Sequence, residues 1–299
     1  MAIVESQMSY LEPWSTSGEP PFVRGITDEE YKPTNFNNLE YSVQIADARP
    51  QKDEFQLDTH GFAFHGDDTL PEDVLRAIRS KDNNFVADEY YPIVERLITQ
   101  KTGATRVVIF DHTYRKKDPA LNLKENPNGR EQPATVVHVD QSSIGAIRRV
   151  HRYTGDEAEK LLQGRVQLIN VWRPINGAVE DWPLAVMDYR SLKQSEIHPT
   201  NIFKQRYELQ GQTVSINHSN NHKWYYLDSQ GTNEVTLIKI WDNKGKVAQL
   251  CPHCAFPHPQ ATADSLPRES IEVRCLVFYG ADSESRNSGK NALLRPELV

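Results

Sequence analysis

Seven short runs rich in β-branched and aromatic residues follow one another in the second half of the chain, near 165–173, 183–188, 207–217, 222–228, 233–241, 246–250 and 271–279. Turn signals such as Asp242-Asn-Lys-Gly245 join several of them. Short strands in such a succession bury their apolar faces by rolling up or by stacking as two sheets. Helical patterns come earlier. Thr69 with Glu72 makes a capping box before Asp73-Val-Leu-Arg-Ala-Ile-Arg, and Asp88 precedes Tyr91, Ile93, Val94, Leu97 and Ile98 at helical spacing. Helices first and strands afterwards predict a mainly β fold: a double-stranded β-helix (jelly roll, cupin-like) with flanking N-terminal α-helices.

At 299 residues the chain can hold one large domain or two small ones. A single domain over 41–299 is expected, preceded by an extended arm over 1–40, where Pro, Ser, Glu and Asn dominate without periodicity. Thr105-Arg-Val-Val-Ile-Phe110 reads as a strand, and the polar stretch from Arg115 to Gln132 as a long loop. Thr154 with Glu157, and Gly164 as a stop, predict a helix over 154–163. No internal repeat or low-complexity tract is evident.

Composition narrows the function classes. An apolar fraction of 38% and a charged fraction of 25% are ordinary for a soluble protein, and no apolar run is long enough to span a bilayer. The N-terminus lacks the features of a secretory signal, so a cytoplasmic location is expected. Three cysteines (Cys251, Cys254, Cys275) are too few for a disulfide framework and agree with a reducing compartment. A net charge of −7 argues against a groove that tracks nucleic acid phosphates. The expected partner is a small molecule, with no nucleic acid and no membrane; the sequence does not fix the oligomeric state.

Within Thr135-Val-Val-His-Val-Asp140, His138 and Asp140 stand two residues apart in a β-branched run. Side chains at i and i+2 of a strand share a face, so the imidazole and the carboxylate can grip one ion. A histidine followed two residues on by Asp or Glu arises roughly once by chance in a chain of this composition. A second copy, His65-Gly66-Asp67, does occur, in what reads as a turn feeding a helix. His138 differs in its strand context, where a buried acid is costly unless it meets a cation. His253 is the best third ligand and His258 its rival; a zinc cluster of Cys251, His253, Cys254 and His258 lacks a second cysteine pair nearby. Two histidines and one carboxylate on one side of Fe(II) leave positions open for oxygen chemistry.

Arginine supplies the other half. In Pro267-Arg-Glu-Ser-Ile-Glu-Val-Arg274, alternation puts Arg268, Ser270, Glu272 and Arg274 on one face of the last strand. A planar guanidinium matches a carboxylate through two parallel bonds, which suits the distal end of 2-oxoglutarate. Arg268 with Ser270 is the first choice for this role and Arg274 the next.

Val137-His-Val-Asp-Gln141, Asn170-Val-Trp-Arg-Pro174, Trp182-Pro-Leu-Ala185, Trp224-Tyr-Tyr226, His253-Cys-Ala-Phe256 and the Pro267–Arg274 segment occur in this order. Together they resemble the fungal asaB-like hydroxylase/desaturase family (gibberellin desaturase-like, CmcJ-like) of Fe(II)/2-oxoglutarate-dependent dioxygenases, over roughly residues 55–280. The resemblance implies a double-stranded β-helix, a His/Asp/His iron site, and 2-oxoglutarate and O2 as cosubstrates. It also implies oxidation of a secondary-metabolite intermediate by hydroxylation, desaturation or oxidative ring formation through C–H abstraction. Asn170, Trp172, Trp224 and Tyr226 are the expected substrate contacts, Arg165 and Arg173 could pair a substrate carboxylate or equally form structural ion pairs, and Tyr114 with Arg115 could belong to a lid. Two other readings compete: a cupin-type metalloenzyme that needs no 2-oxoglutarate, and a non-catalytic small-molecule-binding barrel.

Overall fold

The computed structural model describes residues 1–15, 18–25, 32–118, 120–121, 132–204 and 208–280. In chain order the strands are β1 (Ile3–Leu11), β2 (Phe22–Arg24), β3 (Asn38–Asp47), β4 (Phe62–Gly66), β5 (Arg106–Lys116), β6 (His138–Val139) and β7 (Val166–Pro174). They continue as β8 (Leu184–Met187), β9 (Ile197–Lys204), β10 (Glu208–Ile216), β11 (Trp224–Tyr226), β12 (Glu234–Asp242), β13 (His253–Ala255) and β14 (Glu269–Phe278). Two sheets result, one ordered β1-β3-β11-β8-β13-β6-β10-β9-β2 and a smaller one ordered β4-β12-β7-β14-β5.

The smaller sheet is covered on both faces, which is why β7 and β12 are buried at every position. Leu168 and Trp172 of β7 face a core shared with Val139, Val186 and Val214 of the larger sheet. The alternate residues Ile169 and Val171 pack against Val94, Leu97 and Ile98 of the helix Tyr91–Thr102. The layers are therefore helices, small sheet, large sheet, and the interior between the sheets holds the alternating face of β14.

Several local expectations need correction. The helix near residue 70 runs over Glu72–Arg79 with Pro71 at its N-cap, because the Thr69 hydroxyl donates to Asp67 instead of capping the helix. The helix expected to begin at Thr154 is preceded by another, Ser143–Thr154, capped by the Ser142 hydroxyl accepting from Gly145 N–H. Thr154 ends that helix, its hydroxyl bonded to Val150 O, and Ala158–Leu162 follows after a short 3-10 turn. Residues 246–250 are turn and coil rather than strand, and Ala248 N–H donates to Asp58 O. His65 lies in β4, opposite Val235, not in a loop. Ile3–Leu11 pairs along its whole length with β3 at the edge of the larger sheet.

Arg165 and Arg173 are engaged in the scaffold. Arg173, fully buried, bonds Asp67, the Tyr90 hydroxyl and Thr232 O. Arg165 and Lys239 share Asp58 and Asp242. A small, mainly apolar recess lies beside that cluster, lined by Ile197, Val214, Ile240, Trp241 and Leu250, and its acid Asp242 is already paired.

Gly61 turns the chain into β4 with φ +89°, and a Cβ there would lie 2.7 Å from Leu250 O. Gly61→Ala is therefore expected to destabilise the fold by about 1–3 kcal/mol, measured by urea denaturation.

Candidate metal centre

β13 pairs with β6 so that His253 stands directly opposite His138. Opposed residues of an antiparallel pair present their side chains on the same face, and the two imidazole centroids lie 4.6 Å apart. Asp140, two residues beyond His138, joins them: Oδ1 is 3.2 Å from His138 Nε2 and 3.7 Å from His253 Nε2. Each of the three residues offers one ligand atom, all within 4.8 Å of one another. Among the described residues no other group of three or more His, Cys, Asp or Glu side chains meets that condition.

The imidazoles are oriented as a metal site requires. His138 Nδ1–H donates to Val136 O at 2.7 Å and His253 Nδ1–H to Cys251 O at 3.0 Å. The carbonyl partners assign the protons to Nδ1 and turn both Nε2 lone pairs toward Asp140. The donor set of two nitrogens and one carboxylate oxygen fits a ferrous ion with open positions.

The electrostatics support a cation. Burial alone would raise the Asp140 pKa, but Arg274 and the two histidines outweigh it and hold the carboxyl well below the usual range. Burial pushes His253 down to about 4, helped by the neighbouring His138, so it stands neutral with a free lone pair. In the metal-free site burial lowers the His138 pKa, yet an Nε2–H donated to Asp140, and the charge of that carboxylate, more than compensate and raise it, so a metal ion would take the place of that proton.

These side chains open into a cleft of about 310 Å³, also lined by Arg115, Trp172, Leu184, Arg268 and Glu272. Arg268 is only 3% exposed. Its guanidinium donates to Trp182 O and Ser270 Oγ and lies over the Trp172 ring, 4.9 Å from the centroid. Among the described residues no carboxylate pairs with it within salt-bridge distance. Burial and then the Arg115 guanidinium push its pKa down to about 9. A desolvated cation facing a cleft is a seat for an anion. Arg274 is unlike it: its nitrogens meet Asp140, Asp111 and Glu272.

A family model described as an oxidoreductase/YMDC permease-like domain matches residues 8–278. The chain is 37% identical over 276 residues to the Fe(II)/2-oxoglutarate-dependent dioxygenase nvfI of Aspergillus novofumigatus, covering 92% of this chain and 97% of that protein. The solved structure of the iron and alpha-ketoglutarate-dependent endoperoxidase NvfI superposes with a TM-score of 0.85 at 36% identity, over 93% of this chain and 98% of that one. The hydroxylase/desaturase CTB9 of Cercospora beticola is 32% identical, over 80% of this chain and 76% of that protein. The chain belongs to the fungal Fe(II)/2-oxoglutarate-dependent dioxygenases.

In this dioxygenase the expected substrate contacts separate. Trp172 lines the cleft, and its indole N–H is buried without a hydrogen-bond partner among the described residues. Asn170 is turned to Asp140, donating from Nδ2 to Oδ2 at 2.8 Å. Trp224 and Tyr226 lie away from the cleft: the Trp224 indole N–H donates to the Tyr10 hydroxyl, and Tyr226 meets His258. His258, the rival ligand, is therefore engaged elsewhere. Tyr114 packs on the helix side of the small sheet, while Arg115, one residue on, faces the cleft with Nη1 bonded to Gln132 O. Most of the predicted loop, residues 119 and 122–131, lies outside the described residues. The three cysteines are buried free thiols. Glu272 was visible in the alternation of β14 but not given a role; burial, and then Asp140, raise its pKa.

Proposed function

We propose that His138, Asp140 and His253 hold the Fe(II) of this dioxygenase, and that Arg268 with Ser270 receives the distal carboxylate of 2-oxoglutarate. The observation that carries the second assignment is a buried guanidinium in the cleft of the three ligands with no carboxylate within salt-bridge distance among the described residues. Arg274 is the weaker choice, because Asp140 and Glu272 already neutralise it. Bound in this site, Fe(II) with 2-oxoglutarate and O2 supplies oxidative decarboxylation to succinate and CO2 coupled to attack on an unactivated C–H bond. The protein's part is orientation and exclusion of water. Arg268 fixes the length and direction of the cosubstrate, the Trp172 ring backs the guanidinium, and Leu184 and Ala255 give the cleft apolar wall.

The substrate is a small molecule, which we take to be a secondary-metabolite intermediate. Relatives are named for hydroxylation or desaturation and for endoperoxide chemistry, so hydroxylation, desaturation and oxidative ring formation all stay within reach of one site. We propose further that residues 41–299 act as one catalytic domain with 1–40 as an arm along it, which the pairing of β1 with β3 supports. A cytoplasmic site of action is proposed as well; three buried free thiols fit a reducing compartment. None of the described helices is long and apolar enough to cross a membrane.

Anaerobic addition of Fe(II) and then 2-oxoglutarate is expected to give a weak visible charge-transfer band that saturates at one equivalent of each. Admission of O2 with substrate should then release succinate. A protein that binds both and shows no such band would contradict chelation at this site.

A further inference from the structure

Asp140 has two carboxylate oxygens, and they have different surroundings. Oδ1 faces His138 Nε2 and His253 Nε2. Oδ2 accepts Asn170 Nδ2–H at 2.8 Å and Arg274 Nε–H at 3.3 Å. Both donors belong to the smaller sheet, where Asn170 of β7 and Arg274 of β14 are register partners, whereas Asp140 follows β6 of the larger one. The carboxylate is thus held across the interior of the sandwich.

Each donor is itself constrained. Arg274 Nη1 bonds Thr113 Oγ1 at 2.7 Å and Asp111 Oδ2 at 3.3 Å, and Nη2 bonds Glu272 Oε1 at 3.0 Å, so the guanidinium has little freedom to turn. Asn170 is fully buried, and its Oδ1 has no hydrogen-bond partner among the described residues. A buried acceptor left unpaired costs about 1–3 kcal/mol, so an apolar residue of similar size would suit the fold better. What an amide offers here that leucine does not is the N–H on Asp140.

Resting on the assignment of Asp140 as an iron ligand, we infer that Asn170 and Arg274 are positioning residues that clamp Oδ2, so that Asp140 presents Oδ1 alone to the ion. Carboxylates bind ions through one oxygen or two. An Fe(II) held by three side chains and 2-oxoglutarate would still need a free position for O2, and a second oxygen from Asp140 would compete for it. The clamp keeps that position open. It also gives Arg274 a role distinct from that of Arg268.

The test uses Co(II) as a visible probe of the metal-free protein, because its d–d spectrum changes with coordination number. Asn170→Leu, matched in size, and Arg274→Met are each expected to weaken Co(II) binding about 10- to 100-fold and to alter the spectrum. Arg274→Lys, which keeps the charge and one donor, should recover part of both. Should Arg274→Met fail to fold, Asn170→Leu decides alone. Wild-type Co(II) affinity and spectrum in Asn170→Leu would overturn the clamp, whatever happens to its melting temperature. If Asp140→Ala binds Co(II) as the wild type does, the ligand assignment fails and the clamp with it; that failure is told apart because it appears in Asp140→Ala itself.

Discussion

His138→Ala is expected to remove the anaerobic Fe(II)/2-oxoglutarate band and to take succinate release to background. The loss should exceed the roughly 10- to 100-fold that follows removal of a ligand's supporting partner, since the ligand itself is gone. Only Asp140 and His253 would remain, so the ion would lose one of its three side-chain donors. Stability should suffer little, because among the described residues the imidazole makes one bond to the protein beyond the cluster, Nδ1–H to Val136 O, of a kind worth about 1 kcal/mol. His65→Ala is the matched control. It removes the other His-x-Asp histidine, and it should leave the band intact, since Asp67 is already bonded to Arg173 and Val235 stands opposite His65. A band that survives His138→Ala, or disappears in His65→Ala, would reassign the centre.

That pair of histidines shows how far the sequence could be read. Both tripeptides sit at strands, so the pattern His-x-Asp does not separate them. The difference lies in the strand opposite. The neighbour of β6 delivers His253 to the register position facing His138, and the neighbour of β4 delivers valine. Strand order is set by long-range pairing, so it is invisible in a tripeptide. The face of β14 was legible, because its side chains alternate with a strict period of two and the structure keeps Ser270, Glu272 and Arg274 toward the interior. Which arginine of that face is paired depends on Asp111 of β5 and on Asp140 just after β6 as well as on its strand neighbour Glu272, and the local pattern records only the last. Trp224 misled for a similar reason: it looks like a ligand wall, but its partner Tyr10 comes from β1. β1 itself carried a readable signal. Val4, Ser6, Met8 and Tyr10 alternate inward, and the surrounding Pro- and Ser-rich composition obscured it.

Arg268→Ala is expected to raise the 2-oxoglutarate concentration needed for half-maximal turnover by about 1.5–3 kcal/mol in binding terms, roughly 10- to 150-fold. The requirement for the organic substrate should change far less. The guanidinium is positioned by Ser270 and Trp182 O and has no carboxylate within salt-bridge distance among the described residues; Asp181 and Glu272 offset its charge only from farther away, so an entering anion would be its first direct acid partner. This has a consequence for stability with a definite sign. Burial and Arg115 lower the Arg268 pKa to about 9, so the folded, ligand-free protein holds this cation less readily than the unfolded chain. The penalty is fully present below about pH 9 and fades as pH rises toward the unfolded value, because there the unfolded chain binds more protons than the folded one. Arg268→Met keeps the volume and drops the charge. It should therefore stabilise the ligand-free protein by about 1 kcal/mol, or a few degrees in melting temperature, even as 2-oxoglutarate binding weakens. A structural arginine would behave in the opposite way, since truncating one member of a buried pair strands the other. If Arg268→Met lowers the melting temperature and leaves the 2-oxoglutarate requirement unchanged, the buried cation belongs to the scaffold and the cosubstrate is held elsewhere in the cleft.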